Sequence, residues 1–171
     1  MFTQYDHEGN LQAVEEPTAN YTYTYADYLK FNFEERLELV KGRIMKMAAP
    51  NTKHQAVLGN LYYQFRNSLS KQSCAVFIAP FDVRLPIQNN KKDNEITIVV
   101  QPDICVVCDQ SKIDERGCLG APDIVVEVLS PGNSKRELQN KFELYEEAGV
   151  LEYWIVAPAE EFIIIWFKFR F

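Results

Sequence analysis

Apolar residues recur at two spacings along the chain, and these spacings separate its helices from its strands. After Pro50 and Asn51, the residues Val57, Leu58, Leu61, Tyr62, Phe65 and Leu69 follow the i, i+3/i+4 rhythm of a helix lying on a sheet. Pro131-Gly132-Asn133-Ser134 breaks the chain again and offers caps for a second helix, which Gly149 ends by supplying a left-handed position. Thr24 can cap a short helix reaching Lys30. Strand-like runs occupy Arg36 to Val40 and Arg43 to Met47, around a tight Lys41-Gly42 turn. Others cover Cys74 to Ala79, Phe81 to Pro86, Ile96 to Cys108, Asp123 to Ser130, Tyr153 to Val156 and Phe162 to Phe167. This order of elements predicts an α/β fold, a mixed sheet with helices on its faces.

Size adds a limit to that picture. The 171 residues, 47% of them hydrophobic and 13% aromatic, suffice for one well-buried core and fall short of two typical domains. A single domain over residues 21–171 is expected, preceded by residues 1–20 as a loose polar arm. The opening Met1 to Asn10 lacks a basic region followed by an apolar run, so a cytoplasmic protein is expected. Phe162 to Phe167, the longest apolar run, is far shorter than the roughly 20 residues of a membrane-spanning helix.

Cys105 and Cys108 form a C-x-x-C pattern, with Cys118 nearby. Within a strand, positions three apart point to opposite faces, so they do not grip one zinc ion together. The cysteines are therefore read as small buried hydrophobes. A net charge of −6 argues against a broad nucleic-acid-coating surface, although basic groups stand locally at Lys41, Arg43, Lys46, Lys135 and Arg136.

The candidate chemistry comes from a hairpin. If Asp109 to Pro122 is the loop between two antiparallel strands, Asp103 lies opposite residue 127 or 128, and two carboxylates meet about 4.8 Å apart. That gap suits a small hard cation. Glu127 sits inside the apolar run Ile124 to Leu129, where an ionised carboxylate is costly unless something positive attends it. The second helix offers a lysine. With Leu138 at zero and steps of about 100°, Leu144, Ala148, Tyr145 and Phe142 make an apolar arc, and Lys141 falls inside it at about 300°. Such a lysine either snorkels to water or meets a buried acid, and the preceding strand supplies the acid. Asp103 and Glu127 holding magnesium, with Val128 beside them as a further ligand and Lys141 orienting water or countering charge, are parts for phosphodiester hydrolysis. Asp123, four residues from Glu127 along the strand, is read as a loop anchor.

Three segments carry a family resemblance: Gln101-Pro102-Asp103-Ile104-Cys105-Val106-Val107, Gly120 to Pro131 and Lys141 to Val156. They resemble the Uma-two family of endonucleases, abundant in cyanobacteria and placed in the PD-(D/E)xK superfamily. The resemblance runs from about Tyr25 to the end. It implies a restriction-endonuclease-like fold, with a four-stranded mixed core sheet flanked by helices and an added N-terminal β-hairpin. By position Asp103 matches the metal-binding aspartate and Glu127 the second acid, while the superfamily's usual lysine two residues later is here Leu129, its place taken by Lys141.

Glu38 matches an acid before the hairpin glycine and is read either as a third catalytic acid or as an ordinary strand glutamate. His54 matches a histidine at the start of the first helix, which would contact substrate, cap the helix or pack. Lys135 and Arg136 complete the substrate-binding candidates. Two departures stand out: Glu137 where the family commonly has Asp, and Ala157 where it has the Asp of a Val-Asp-Pro sequence.

The resemblance thus implies a metal-dependent endonuclease acting on DNA, with Mg2+ or Mn2+ as cofactor. A non-catalytic nucleic-acid- or protein-binding module on the same fold is the alternative, and RNA is a further substrate class. The terminal hydrophobic run, a candidate edge strand, leads to the expectation of a homodimer.

Overall fold

The computed structural model describes residues 2–5, 11–14, 21–32, 36–47, 49–86, 91–130 and 135–168. In chain order the strands are β1 (Phe2–Tyr5), β2 (Leu11–Val14), β3 (Phe31–Asn32), β4 (Leu37–Val40), β5 (Arg43–Lys46), β6 (Ala75–Ile78) and β7 (Val83–Arg84). They continue with β8 (Val99–Val100), β9 (Ile104–Val107), β10 (Ile113–Asp114), β11 (Gly117–Leu119), β12 (Ile124–Val128), β13 (Glu152–Ala157) and β14 (Phe162–Phe167). The helices are α1 (Tyr25–Tyr28), α2 (Thr52–Ser68) and α3 (Lys135–Ala148). Two compact units emerge, residues 1–47 with 84–100 and residues 48–83 with 101–171.

In the first unit, β1 pairs antiparallel with both β2 and β3, so the stretch expected as a loose arm contains two paired strands. The β4–β5 hairpin turns where it was expected. Lys41 (φ 49°) and Gly42 (φ 77°) are both left-handed, the backbone a two-residue turn of this kind demands. A Cβ on Gly42 would also collide with Thr22. Asp27 accepts from the Thr24 N–H (2.9 Å) and hydroxyl (2.8 Å) at the start of α1, and Tyr25 buries its ring beneath the Arg84 guanidinium.

The second unit is built on a five-stranded sheet in the order β14-β13-β12-β9-β6. Only β12 and β13 run parallel, with α3 as their crossover; the other three pairings are antiparallel. The expected four-stranded sheet is there, with β14 added at its edge. Leu58 of α2 packs with Val76, Ile104, Val106, Val126, Val128 and Val156 into one buried cluster. Alternation along β12 turns Val125 and Glu127 to the other face, where α3 lies. Gly149 (φ 93°) closes α3 in the left-handed conformation predicted for it.

Two further expectations change. The single strand foreseen from Ile96 to Cys108 is two, β8 and β9, because Gln101-Pro102-Asp103 interrupts it and proline cannot donate to a ladder. The reading of all four cysteines as free hydrophobes holds for the buried Cys105 and Cys118 alone. Cys74 and Cys108 are joined in a disulfide, at the ends of adjacent antiparallel strands β6 and β9.

Candidate active site

Register brings the two acids together. The pairs Ile124↔Val106, Val125↔Cys105 and Val126↔Ile104 end one step short of Glu127 and Asp103, and the Asp103 carboxylate takes the N–H of Val128, the residue after Glu127. Both acids are buried, each 8% exposed. Taking a carboxylate out of water carries a large penalty unless donors replace the lost hydration. Each acid has such donors.

Glu127 receives two on one oxygen. Oε1 accepts from the Lys141 ammonium at 2.8 Å and from the Tyr145 hydroxyl at 2.7 Å. These donors lie four residues apart on α3, hence on one face of the helix. Lys141 remains 21% exposed in its side chain while Tyr145 is fully buried, its ring 5.0 Å from that of Tyr153. The lysine read from the apolar arc therefore meets its acid.

Asp103 is served from elsewhere. Its Oδ2 accepts from the Val128 N–H at 2.8 Å and lies 3.2 Å from Nε2 of His54, at the first turn of α2. The helix cap is Asn51, whose side chain accepts from the His54 N–H at 2.8 Å, which leaves the imidazole for Asp103. The hydrogen bond to Asp103 raises the His54 pKa above the ordinary histidine value, burial opposes it, and the charges of Asp103 and Glu127 reinforce it. Nδ1 of the same ring is buried with no hydrogen-bond partner among the described residues.

Of the residues picked from sequence, Asp103, Glu127, Lys141, His54 and Val128 thus share one site, Val128 contributing its N–H to Asp103. Glu38 belongs to the first unit, buried on β4 opposite Met45. Lys135 and Arg136 lie in α3, but their side chains fall outside the described residues. Asp123 anchors the loop as expected: its carboxylate takes the Cys108 N–H at 2.7 Å and its carbonyl the N–H groups of Leu151 and Glu152. Tyr145 is the residue of this cluster that the sequence reading missed. Its place in the apolar arc reads as core, and the signal available was its i+4 spacing from Lys141.

The family model described as "Putative restriction endonuclease", Uma2, matches residues 23–167. The chain belongs to the Uma2 family. Another protein similar to this Uma2 chain is an uncharacterized protein of Synechocystis sp., 27% identical over 125 residues, which are 73% of this chain. The chain spans 62% of the length of that curated relative. A crystal structure described as "a putative nuclease belonging to DUF820 from Anabaena variabilis" superimposes with a TM-score of 0.68 at 22% identity. The match covers 86% of this chain and 80% of that one, and establishes a shared α/β fold. Among the described residues no helix is long and apolar enough to cross a membrane.

Proposed function

We propose that this Uma2 chain is a magnesium-dependent endonuclease that hydrolyses phosphodiester bonds in DNA. The observation that carries the reading is the Asp103 carboxylate bonded to the N–H of Val128, next to Glu127, with the Lys141 ammonium 2.8 Å from the second acid.

The donor set fits magnesium. Mg2+ is held by one or two carboxylates and completes its octahedron with water and substrate phosphate, so two hard oxygen ligands suffice. Among the described residues no group of three or more His, Cys, Asp and Glu side chains could form a closed protein cage. Asp103, Glu127 and the Val128 carbonyl would hold the ion, and Mn2+ would substitute for it. When bound, the ion lowers the pKa of a water and offsets charge on the phosphoryl oxygens.

This chain's own residues do the rest. Lys141, whose side chain is one-fifth exposed, presents a cation to the phosphate or to the attacking water while remaining tethered to Glu127. Tyr145 and Lys141 together fix Oε1 of Glu127, and Val128 and His54 fix Oδ2 of Asp103, so both carboxylates are oriented before an ion arrives.

Cleavage of supercoiled plasmid DNA in Mg2+ or Mn2+ tests the reading. We expect nicking that EDTA abolishes and that Glu127→Ala and Lys141→Ala each reduce by about a hundredfold or more. Activity unchanged in both variants would trace the cleavage to another site or to a contaminant. Binding of DNA with no cleavage under any divalent ion would establish the non-catalytic module in its place, and cleavage confined to RNA would move the substrate class.

A further inference from the structure

Strand β14 is unusual for an edge. Its one paired neighbour is β13, and no other strand among the described residues takes up the backbone groups of its other side. Such edges are ordinarily guarded by a lysine, a proline, a bulge or a covering loop. The run Phe162-Ile163-Ile164-Ile165-Trp166-Phe167 contains neither lysine nor proline. Both of its faces are apolar and open, with Ile163 at 50% and Phe167 at 56% exposed on one and Phe162 at 44% and Ile164 at 41% on the other. The second face borders a 230 Å³ apolar groove that Leu138 and Phe142 of α3 complete.

The charges lie only at the ends, and they differ in sign. Glu160 and Glu161 precede the strand, Lys168 follows it, and all three are exposed. A parallel neighbour of the same sequence would set acid against acid and lysine against lysine. An antiparallel copy would set acid against lysine at both ends.

Backbone geometry narrows this to one register. In an antiparallel ladder, directly opposed residues either both point their N–H and C=O groups at each other or both point them away. Alternate residues of β14 point outward, and two copies are identical, so opposed residues must both be even-numbered or both odd-numbered. The two-fold axis must therefore pass through a residue, and Ile164 or Ile165 keeps most of the strand paired. Centred on Ile165, Lys168 would face Phe162 of the second copy. Centred on Ile164, Phe162 faces Trp166 and Ile164 faces itself, and the turn that holds Glu160 and Glu161, where Glu161 is left-handed (φ 58°), comes beside Lys168 of the second copy.

We infer that β14 pairs antiparallel with β14 of a second copy of this chain, about a two-fold axis at Ile164, joining two five-stranded sheets into one of ten strands. The contact is isologous and closed, so it consumes the open edge in a dimer. It does not depend on the nuclease reading.

Sedimentation equilibrium of the full chain, with charge reversal, decides it. A dimer is expected whose dissociation constant rises about tenfold in Glu160→Lys and again in Lys168→Glu, since each reversal sets like charges together at both ends. The double variant, which restores opposite signs, should return to within about threefold of the parent. Ile164→Cys should also form a chain-to-chain disulfide under mild oxidation, because that residue faces its own copy. Circular dichroism controls for folding; the charge sites are exposed and should leave it unchanged. A monomer at about 100 μM, where a contact of standard size would still associate, overturns the inference. So does a dimer indifferent to both reversals or a double variant no better than the singles.

Discussion

Strands β12 and β14 belong to one sheet and read alike as sequence, Ile-Val-Val-Glu-Val against Phe-Ile-Ile-Ile-Trp-Phe, yet they occupy opposite situations. The first is covered on both faces and carries a carboxylate in its middle; the second is open on both faces, with charges only at its ends. The difference teaches that an apolar run marks a strand without saying what covers it. A charge placed inside the run is the better guide, because burial makes that charge call for partners. Glu127 has Lys141 and Tyr145, while Glu160 and Lys168 stand exposed at the ends of the strand, the Lys168 ammonium reaching the Glu146 carbonyl at 3.1 Å.

The comparison breaks most visibly if Glu127 loses its cation. Lys141→Met should destabilise the protein by about 2–4 kcal/mol, since it strands a buried carboxylate. The triple variant Glu127→Leu, Lys141→Met, Tyr145→Phe should regain most of that, turning the interior of β12 into the kind of run β14 has. Urea unfolding midpoints at fixed protein concentration check both. A triple variant as unstable as the single would mean that the loss comes from packing.

A smaller effect contrasts the two coverings directly. Val126→Ala, at a position with no exposure, should cost about 2 kcal/mol from lost burial and the cavity left behind. Ile163→Ala, half exposed on β14, should cost under about 1 kcal/mol when both are unfolded from equally dilute solutions. Equal losses would show that β14 is covered after all.

The third sharpens the view of the other acid. In EDTA, the His54 imidazole should titrate above the ordinary histidine range by NMR, and Asp103→Asn should bring it down, because the hydrogen bond to Asp103 is the leading cause of the rise. A folded-state pKa above the unfolded one makes this contact stabilising below the unfolded pKa. That contribution fades as pH climbs through the folded value. A His54 that titrates no higher than free histidine contradicts the contact.

Much of this site was legible beforehand because two simple geometries govern it. The midpoint of the loop from Asp109 to Pro122 located Asp103 against Glu127 to within one residue, although that loop also folds a small hairpin, β10–β11. The helical arc located Lys141, since one face of α3 is fixed by its apolar residues. What escaped depends on contacts between segments distant in sequence. Tyr145 looks like core until its hydroxyl finds Glu127, eighteen residues away. His54 reaches Asp103 across forty-nine residues, and no spacing rule spans that gap. The Cys74–Cys108 bond was hidden for the same reason, because C-x-x-C drew attention to the wrong pair.

That bond has a consequence for how the polypeptide is threaded. Residues 75–107 leave one unit, supply 84–100 to the other and come back, and the covalent link ties the departure to the return, 34 positions apart. A protease that severs any peptide bond inside this excursion opens the circuit without separating it, and the two resulting pieces travel as one molecule until a thiol parts them.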